Sequence, residues 1–371
     1  MGIIIRAIGL ANPNLSMDRK SALKFANHLS RSRANDPLRE RIAAKTGITK
    51  RHSVLLEPDE TGNPIQDFFS PPLSAEDMGP STAARMQAYE GRAYALVQKA
   101  VTRCLADDAT DALRGLDHMV SCSCTGFASP GIDIRLIQEL SLPSSVTRTH
   151  VGFMGCHGLL NALRVSAALG NAGPARILCF AVELCSLHYQ YSEVPDQMVA
   201  NTLFADGAAA LLLESGQKND SDNDNESWQL IAQQSNLIDG TNEEITWKIR
   251  DHGFVMHLSR KVATHLETHL KSCVETALTK YGYSLKDVQH WAIHPGGPSI
   301  LGAVANALDL SDADLAASRS VLENHGNMSS PTIAFILQKL FTQTASGPVV
   351  ALAFGPGITC EIAIFQRGSA L

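Results

Sequence analysis

Three things are scarce in this sequence, and each scarcity closes off a class of protein. There is little imbalance of charge: 31 Lys and Arg stand against 37 Asp and Glu, a formal net charge of −6 over 371 residues. No global positive field is present to wrap nucleic acid, so a polyanionic ligand must be held by a local basic patch. Long apolar runs are missing: stretches such as 208–213 end far short of the about 20 residues a membrane helix needs. The opening Met1–Arg6 lacks the charged segment and long apolar region of a signal peptide and meets a Pro/Asn turn at residues 12–14. Cysteine is sparse as well. Cys104, Cys122, Cys124, Cys156, Cys179, Cys185, Cys273 and Cys360 contain no CxxC pair, which disfavours a disulfide scaffold and structural zinc. A cytoplasmic protein with buried or catalytic thiols is the simpler expectation.

What is present is apolar sequence, 44% of the chain, in a length that suits one large or two similar domains. Weak alternation predicts a strand over 3–10, and further strands are predicted over 117–123, 146–153, 175–183, 208–213, 289–293 and 348–354. Helical spacing predicts helices over 21–29, 37–45, 81–104, 131–139, 156–168, 257–281, 299–308 and 330–340. Their alternation indicates an α/β fold. Residues 57–80 read as a surface loop, and the acidic run 216–227 as a solvated linker between halves 1–215 and 228–371; it lacks the glycine turn and closing Glu of a calcium loop. The two halves share a pattern. Gly155-Cys156-His157-Gly158 and Gly326-Asn327-Met328-Ser329-Ser330 each open a helix that leads through Gly-Pro into an apolar strand. This repetition points to one topology used twice, with Cys156 and Asn327 at paired helix N-termini.

Cys156 has the features of a nucleophile. A first-turn position favours thiolate, and small neighbours let a bulky substrate approach. The bland alternative is a buried structural cysteine. His294 ends an apolar strand beside Pro295-Gly296-Gly297-Pro298, where α/β proteins present functional groups, or is a hydrogen-bonded loop histidine. Asn327 is either part of the same site or an N-cap.

Taken together, these segments resemble the type III polyketide synthases, the chalcone synthase-like branch of the thiolase superfamily. The residues that carry the likeness are Ala11-Asn12-Pro13, Gly155-Cys156, Phe204-Ala205-Asp206-Gly207-Ala208-Ala209, Trp291 to Pro298, Gly326 to Ser330 and Phe354-Gly355-Pro356-Gly357. The resemblance implies a thiolase-like duplicated αβαβα five-layer fold, a homodimer and a Cys156–His294–Asn327 triad acting on malonyl-CoA and an acyl-CoA starter. No metal or redox cofactor is implied. It places CoA contacts at Arg41 and Lys45, with Leu38 where the family has a third basic residue. Phe204 and Met256 fall on the gatekeeper positions, Met256 departing from the usual Phe. Cys124, Ala128, Cys185, His188 and Ser329 fall on cavity positions. Cys124 matches bacterial members that build tetrahydroxynaphthalene from malonyl-CoA alone, whereas small Ala128 and Cys185 match alkylpyrone-forming members that hold a long acyl chain. His188 is bulkier than the common Thr.

The expectation is a bacterial-type enzyme that extends a medium or long acyl-CoA to a pyrone or resorcinol. Competing readings are a malonyl-only naphthol synthase and a ketoacyl synthase that condenses once on a carrier protein. Outside this class stand a thiol hydrolase of acyl-CoA and a silent acyl-CoA-binding protein. The ketoacyl synthases carry His-Gln-Ala-Asn where this chain has His294-Pro295-Gly296-Gly297.

Overall fold

The computed structural model describes residues 2–105, 115–215, 227–343 and 347–367. Residues 216–226 of the acidic linker lie outside the described residues. One nine-stranded sheet organises the chain, in the order β13-β14-β15-β10-β1-β9-β8-β6-β7. Its strands are β1 (Ile3–Ala11), β6 (His118–Ser123), β7 (Thr147–Gly152), β8 (Ala175–Leu184), β9 (Asp206–Ser215), β10 (Trp228–Leu237), β13 (His290–Ile293), β14 (Val349–Gly355) and β15 (Thr359–Arg367).

The sheet contains the same pattern twice. In the first half β6 and β8 are parallel, and β8, β9 and β1 follow with antiparallel pairing. In the second half β13 and β14 are parallel, and β14, β15 and β10 follow with antiparallel pairing. The halves meet where β1 pairs with β10 over Ile3–Ile5.

Helices occupy equivalent places in the two patterns. Helix α3 (Thr82–Cys104) lies between β1 and β6, and α7 (Lys261–Lys280) between β10 and β13. Helix α5 (Gly158–Ala172) leads into β8, and α10 (Thr332–Gln343) leads into β14. The remaining helices are α1 (Arg19–His28), α2 (Asp36–Lys45), α4 (Ile132–Glu139), α6 (Pro195–Leu203), α8 (Pro298–Leu308) and α9 (Ala316–His325). Short pairs β2 (Ser16–Asp18) with β3 (Lys50–His52), β4 (Glu57–Pro58) with β5 (Pro64–Ile65), and β11 (Ile245–Arg250) with β12 (Gly253–Leu258) complete the order.

Strand periodicity sorts the core into five layers. Along β8, Leu178, Phe180, Val182 and Leu184 face α3, while Ile177, Cys179 and Ala181 face the centre. Along β14, Val350, Leu352 and Phe354 face α7 and α8, while Val349, Ala351 and Ala353 face the centre. The central layer is α5 and α10, whose Leu159, Leu160, Leu163 and Ile333 to Leu337 are buried. A helix covered by sheet on both sides needs apolar residues all round, and these two have them. With the two halves of the sheet packed on either side of these helices, the layer order is helix, half-sheet, helix, half-sheet, helix.

Several sequence-based bounds shift, each for a local reason. The helix expected from residue 257 starts at Lys261, because Gly253–Leu258 pairs with Ile245–Arg250 as a hairpin. The helix expected from 156 starts at Gly158, after a turn closed by the Gly158 N–H donating to Gly155 O at 3.0 Å. The helix expected from 330 starts at Thr332, since Ser329 has φ of 56° and cannot continue a right-handed helix. Cys156 and Asn327 thus sit in turns ahead of α5 and α10 rather than in their first turns. Within 57–80 the short β4–β5 pair is the one regular feature among the described residues.

Candidate active site

The turn that carries Cys156 is shaped by its glycines. Gly155 has φ of +84°, and a Cβ there would lie 2.5 Å from Pro356 Cδ; a Cβ on Gly158 would lie 2.6 Å from Cys122 Sγ. Only glycine allows the 355–357 loop and β6 to close on the thiol from two sides. Behind the turn, His157 joins Asn161 Oδ1 at 2.5 Å and Thr359 Oγ1 at 3.0 Å, and the Asn161 amide donates to Glu361.

His294 follows β13 directly. Its N–H donates to Leu352 O at 2.8 Å, extending the parallel β13–β14 ladder by one residue. The side chain is buried, and both ring nitrogens lack a hydrogen-bond partner among the described residues.

Asn327 is held from three directions. Its N–H donates to Leu203 O and its O accepts from Ala205 N–H, each at 2.9 Å, forming a bridge to Phe204. Its Oδ1 accepts from Ser329 N–H at 2.8 Å, so the amide nitrogen is the free end. That Nδ2 is buried and otherwise unpartnered. Buried polar atoms normally find partners, so these nitrogens remain available for one.

Cys156, Asn327 and Ser329 meet at one place. The Ser329 and Asn327 side chains reach the Cys156 sulfur and oppose the burial that pushes its thiol up to about 12. Burial, with His157 next to the thiol as a smaller cause, holds the His294 imidazole down at about 3. Each group taken alone is neutral.

Cys124 stands beside this turn, its Sγ accepting from Gly155 N–H at 3.1 Å. Its own N–H and Thr125 Oγ1 donate to the buried Glu183 carboxylate, as does Ser330 Oγ. Burial raises the Glu183 carboxyl to about 7 against those bonds. Asp206, raised by burial to about 6, accepts from Ser186 and Val54 and so ties the start of β9 to two neighbouring loops.

One cavity runs from Cys124 and Ser329, which stand next to the Cys156 turn, to the N-terminal helices; Cys156, His294 and Asn327 are not among its lining residues. Cys124, Cys185, His188, Phe204, Met256 and Ser329 line it, and it continues past Leu55, Leu56 and Phe69 to Ala22, Phe25, Ala26 and Leu29 of α1 and the loop after it. Ala128 is not brought there: it is exposed in the chain after Thr125 and does not line the cavity. Arg41 and Lys45 are exposed and four residues apart on α2, hence on one face, while Ala43 of the same helix lines the cavity.

His188 is a fixed wall. Its Nε2 donates to Thr125 O at 2.7 Å, its Nδ1 accepts from Phe254 N–H at 3.0 Å, and its ring stacks on Phe254 with centroids 4.2 Å apart. Trp247 completes the wall, edge-on to His188, with its indole N–H donating to Cys124 O at 2.8 Å. The sequence reading did not include Trp247, Phe254, Glu183 or His157. Trp247 sits in an ordinary alternating strand with no local signal; His157, adjacent to Cys156, could have been found from that position.

Comparison with known proteins agrees with this architecture. Residues 3–217 match the N-terminal domain of chalcone and stilbene synthases, and residues 229–367 the C-terminal domain. The alpha-pyrone synthesis polyketide synthase-like Pks18 of Mycobacterium tuberculosis is 32% identical over 255 residues, covering 67% of this chain and 64% of that relative's length. Among solved structures, PKS-I from the brown alga Ectocarpus siliculosus superposes with a TM-score of 0.90 at 26% identity, covering 99% of this chain and 98% of that one. The 1,3,6,8-tetrahydroxynaphthalene synthase of Streptomyces coelicolor gives 0.83 at 26% identity, covering 99% of each. The two matched domains, the duplicated sheet and the shared superposition together show that the chain belongs to the chalcone and stilbene synthase family, the type III polyketide synthases.

Proposed function

We propose that this protein loads a medium or long acyl-CoA on Cys156, extends it with malonyl-CoA and cyclises the product to an alkylpyrone or alkylresorcinol. In loading, the Cys156 sulfur attacks the acyl thioester as its proton passes to His294, and CoA leaves as the thiol. Malonyl-CoA then places its thioester oxygen where His294 Nε2–H and Asn327 Nδ2–H donate to it. Carbon dioxide departs, and the two donors hold the enolate left behind. That carbon attacks the Cys156 thioester: a C–C bond forms, the C–S bond breaks, and the chain has grown by two carbons. Arg41 and Lys45 hold the CoA phosphates in this reading, and no metal or redox group is required.

The observation that carries the starter class is the apolar arm of the cavity, which runs from Cys124 and Ser329 to Ala22, Phe25, Ala26 and Leu29. An acyl tail lying there would bury apolar surface at about 25 cal/mol per Å². The fixed wall of His188, Trp247 and Phe254 restricts room for a long polyketide, which favours few extensions. The α-pyrone role in the name of the mycobacterial relative supports the same choice. Cys124 at the cavity supports a second reading, a naphthol made from malonyl-CoA alone. Turnover with malonyl-CoA and a ladder of starter acyl-CoAs separates the two. The expected result is a rise in kcat/KM with starter length and pyrone or resorcinol masses; a malonyl-derived naphthol with no starter preference would overturn the long-chain reading.

The reading includes a cytoplasmic homodimer. Strand β7 supports it: it ends the sheet, bonds to β6 on one side, and is largely exposed along Thr147–Gly152 beside exposed Phe127, Phe153 and Met154. An edge of that kind is a template for pairing with a second copy.

A further inference from the structure

A second cleft, which shares Lys50 with the first cavity, is rich in positive charge. Lys50 of β3, Arg103 of α3 and Lys339 of α10 line it, together with Asn12, Asn324 and His325. No carboxylate lines it, and none of these three cations has an ion-pair partner among the described residues. The contrast with other basic residues is informative, because Arg39, Arg135, Arg148, Arg164 and Arg319 each pair with Asp or Glu. In a chain with a net charge of −6, three cations gathered from three separate elements without a counter-charge call for an anion.

The cluster is also partly preorganised. Arg103 Nη1 donates to Leu10 O at 2.7 Å and Lys339 Nζ to Ser320 Oγ at 3.0 Å, which orients both heads while leaving further donors free. His325 is anchored through Nδ1 to Asn12 Oδ1 at 2.9 Å. Burial first, and then His52, Lys50 and Lys339 beside it, lower the pKa of its ring to about 4.

We propose that this cleft is a second anion site, separate from Arg41 and Lys45, that binds a phosphate-bearing ligand. Donors from three directions match a tetrahedral dianion better than a planar carboxylate, and three cations exceed what one carboxylate neutralises. The same chemistry is offered by a soluble phosphate compound and by a lipid phosphate headgroup.

Calorimetric titration of the full chain with pyrophosphate, in an Arg41→Gln/Lys45→Gln background, tests the site without interference from the other patch. Saturable binding is expected there, weakening about tenfold for each of Arg103→Gln and Lys339→Gln. Binding retained in Arg103→Lys and Lys339→Arg would show that charge, not folding, is read. Sedimentation with phosphatidylglycerol vesicles forms the second arm: vesicle binding lost in the same Gln variants, with none to pyrophosphate, assigns the site to a lipid headgroup. Affinity for both probes unchanged by Arg103→Gln/Lys339→Gln, or no saturable binding of either, overturns the proposal.

Discussion

His294 shows how much chemistry a single side chain can hold in reserve: its two ring nitrogens are buried and unsatisfied among the described residues. If Cys156 and His294 together supply the nucleophile, as proposed, His294→Ala removes the proton acceptor and leaves the thiol neutral by burial. Alkylation of Cys156 by iodoacetamide, measured against pH, is then expected to need a far more alkaline medium in the variant than in the unaltered protein. Superimposable profiles would remove His294 from thiol activation. The same substitution deletes an enolate donor, so malonyl-CoA decarboxylation should fall about 10²- to 10³-fold. Cys156→Ala should retain some carbon dioxide release while losing chain extension, and full extension in that variant would refute the covalent step. At the wall, Trp247→Gly removes the indole packed on His188 and is expected to add one or two C2 units to the product, read by mass spectrometry. An unchanged product mass would show that the wall does not set chain length.

The elements matter because they aim these side chains. The turn before α10 depends on Gly326, with φ of +70°, where an added Cβ would meet Arg51 Cγ at 3.0 Å and Ala205 Cβ and Leu203 O at 3.1 Å. Gly326→Ala should therefore cost about 1–2 kcal/mol and disturb the Asn327–Phe204 bridge. Its signature is a larger loss in kcat for decarboxylation than in thermal stability; a fall in melting temperature with kcat intact would make the turn purely structural. In the central layer, Leu163→Ala on α5 deletes a fully buried side chain between two sheet faces and should cost about 2–5 kcal/mol. Chemical denaturation of that variant provides the measurement.

For the whole molecule, buried carboxyls make stability depend on pH. Glu183 is raised by burial to about 7 and Asp206 to about 6, both above the roughly 4 of an unfolded carboxylate. Between those values the native state binds more protons than the unfolded chain, so their contribution is full below about pH 4 and is lost as pH rises toward 6 and 7. The unaltered protein should lose melting temperature relative to Glu183→Gln between about pH 5 and pH 7.5, and parallel curves would contradict this assignment. The exposed edge at β7 carries the assembly expectation. Sedimentation equilibrium should give a dimer, and Val151→Pro on that edge should weaken it; a monomer at working concentration would sink the pairing.

Much of this was legible in order along the chain. Short apolar runs located strands β6, β8, β9, β13 and β14 to within a few residues, because a strand buried on both faces has little freedom in composition. The turn motifs at Gly155-Cys156 and Gly326-Asn327 could be read because backbone geometry and close packing demand glycine there. The sequence alone determined that this is a duplicated α/β chain with a thiol, an imidazole and an amide presented on turns. Tertiary structure decided the rest. It began α5 and α10 after the functional turns instead of at them, converted 253–258 to a hairpin strand, left Ala128 outside the cavity and brought Trp247 into it. It also set the protonation of Cys156 and His294. Burial, cross-strand pairing and desolvation all depend on residues far apart in sequence, and no local pattern records them.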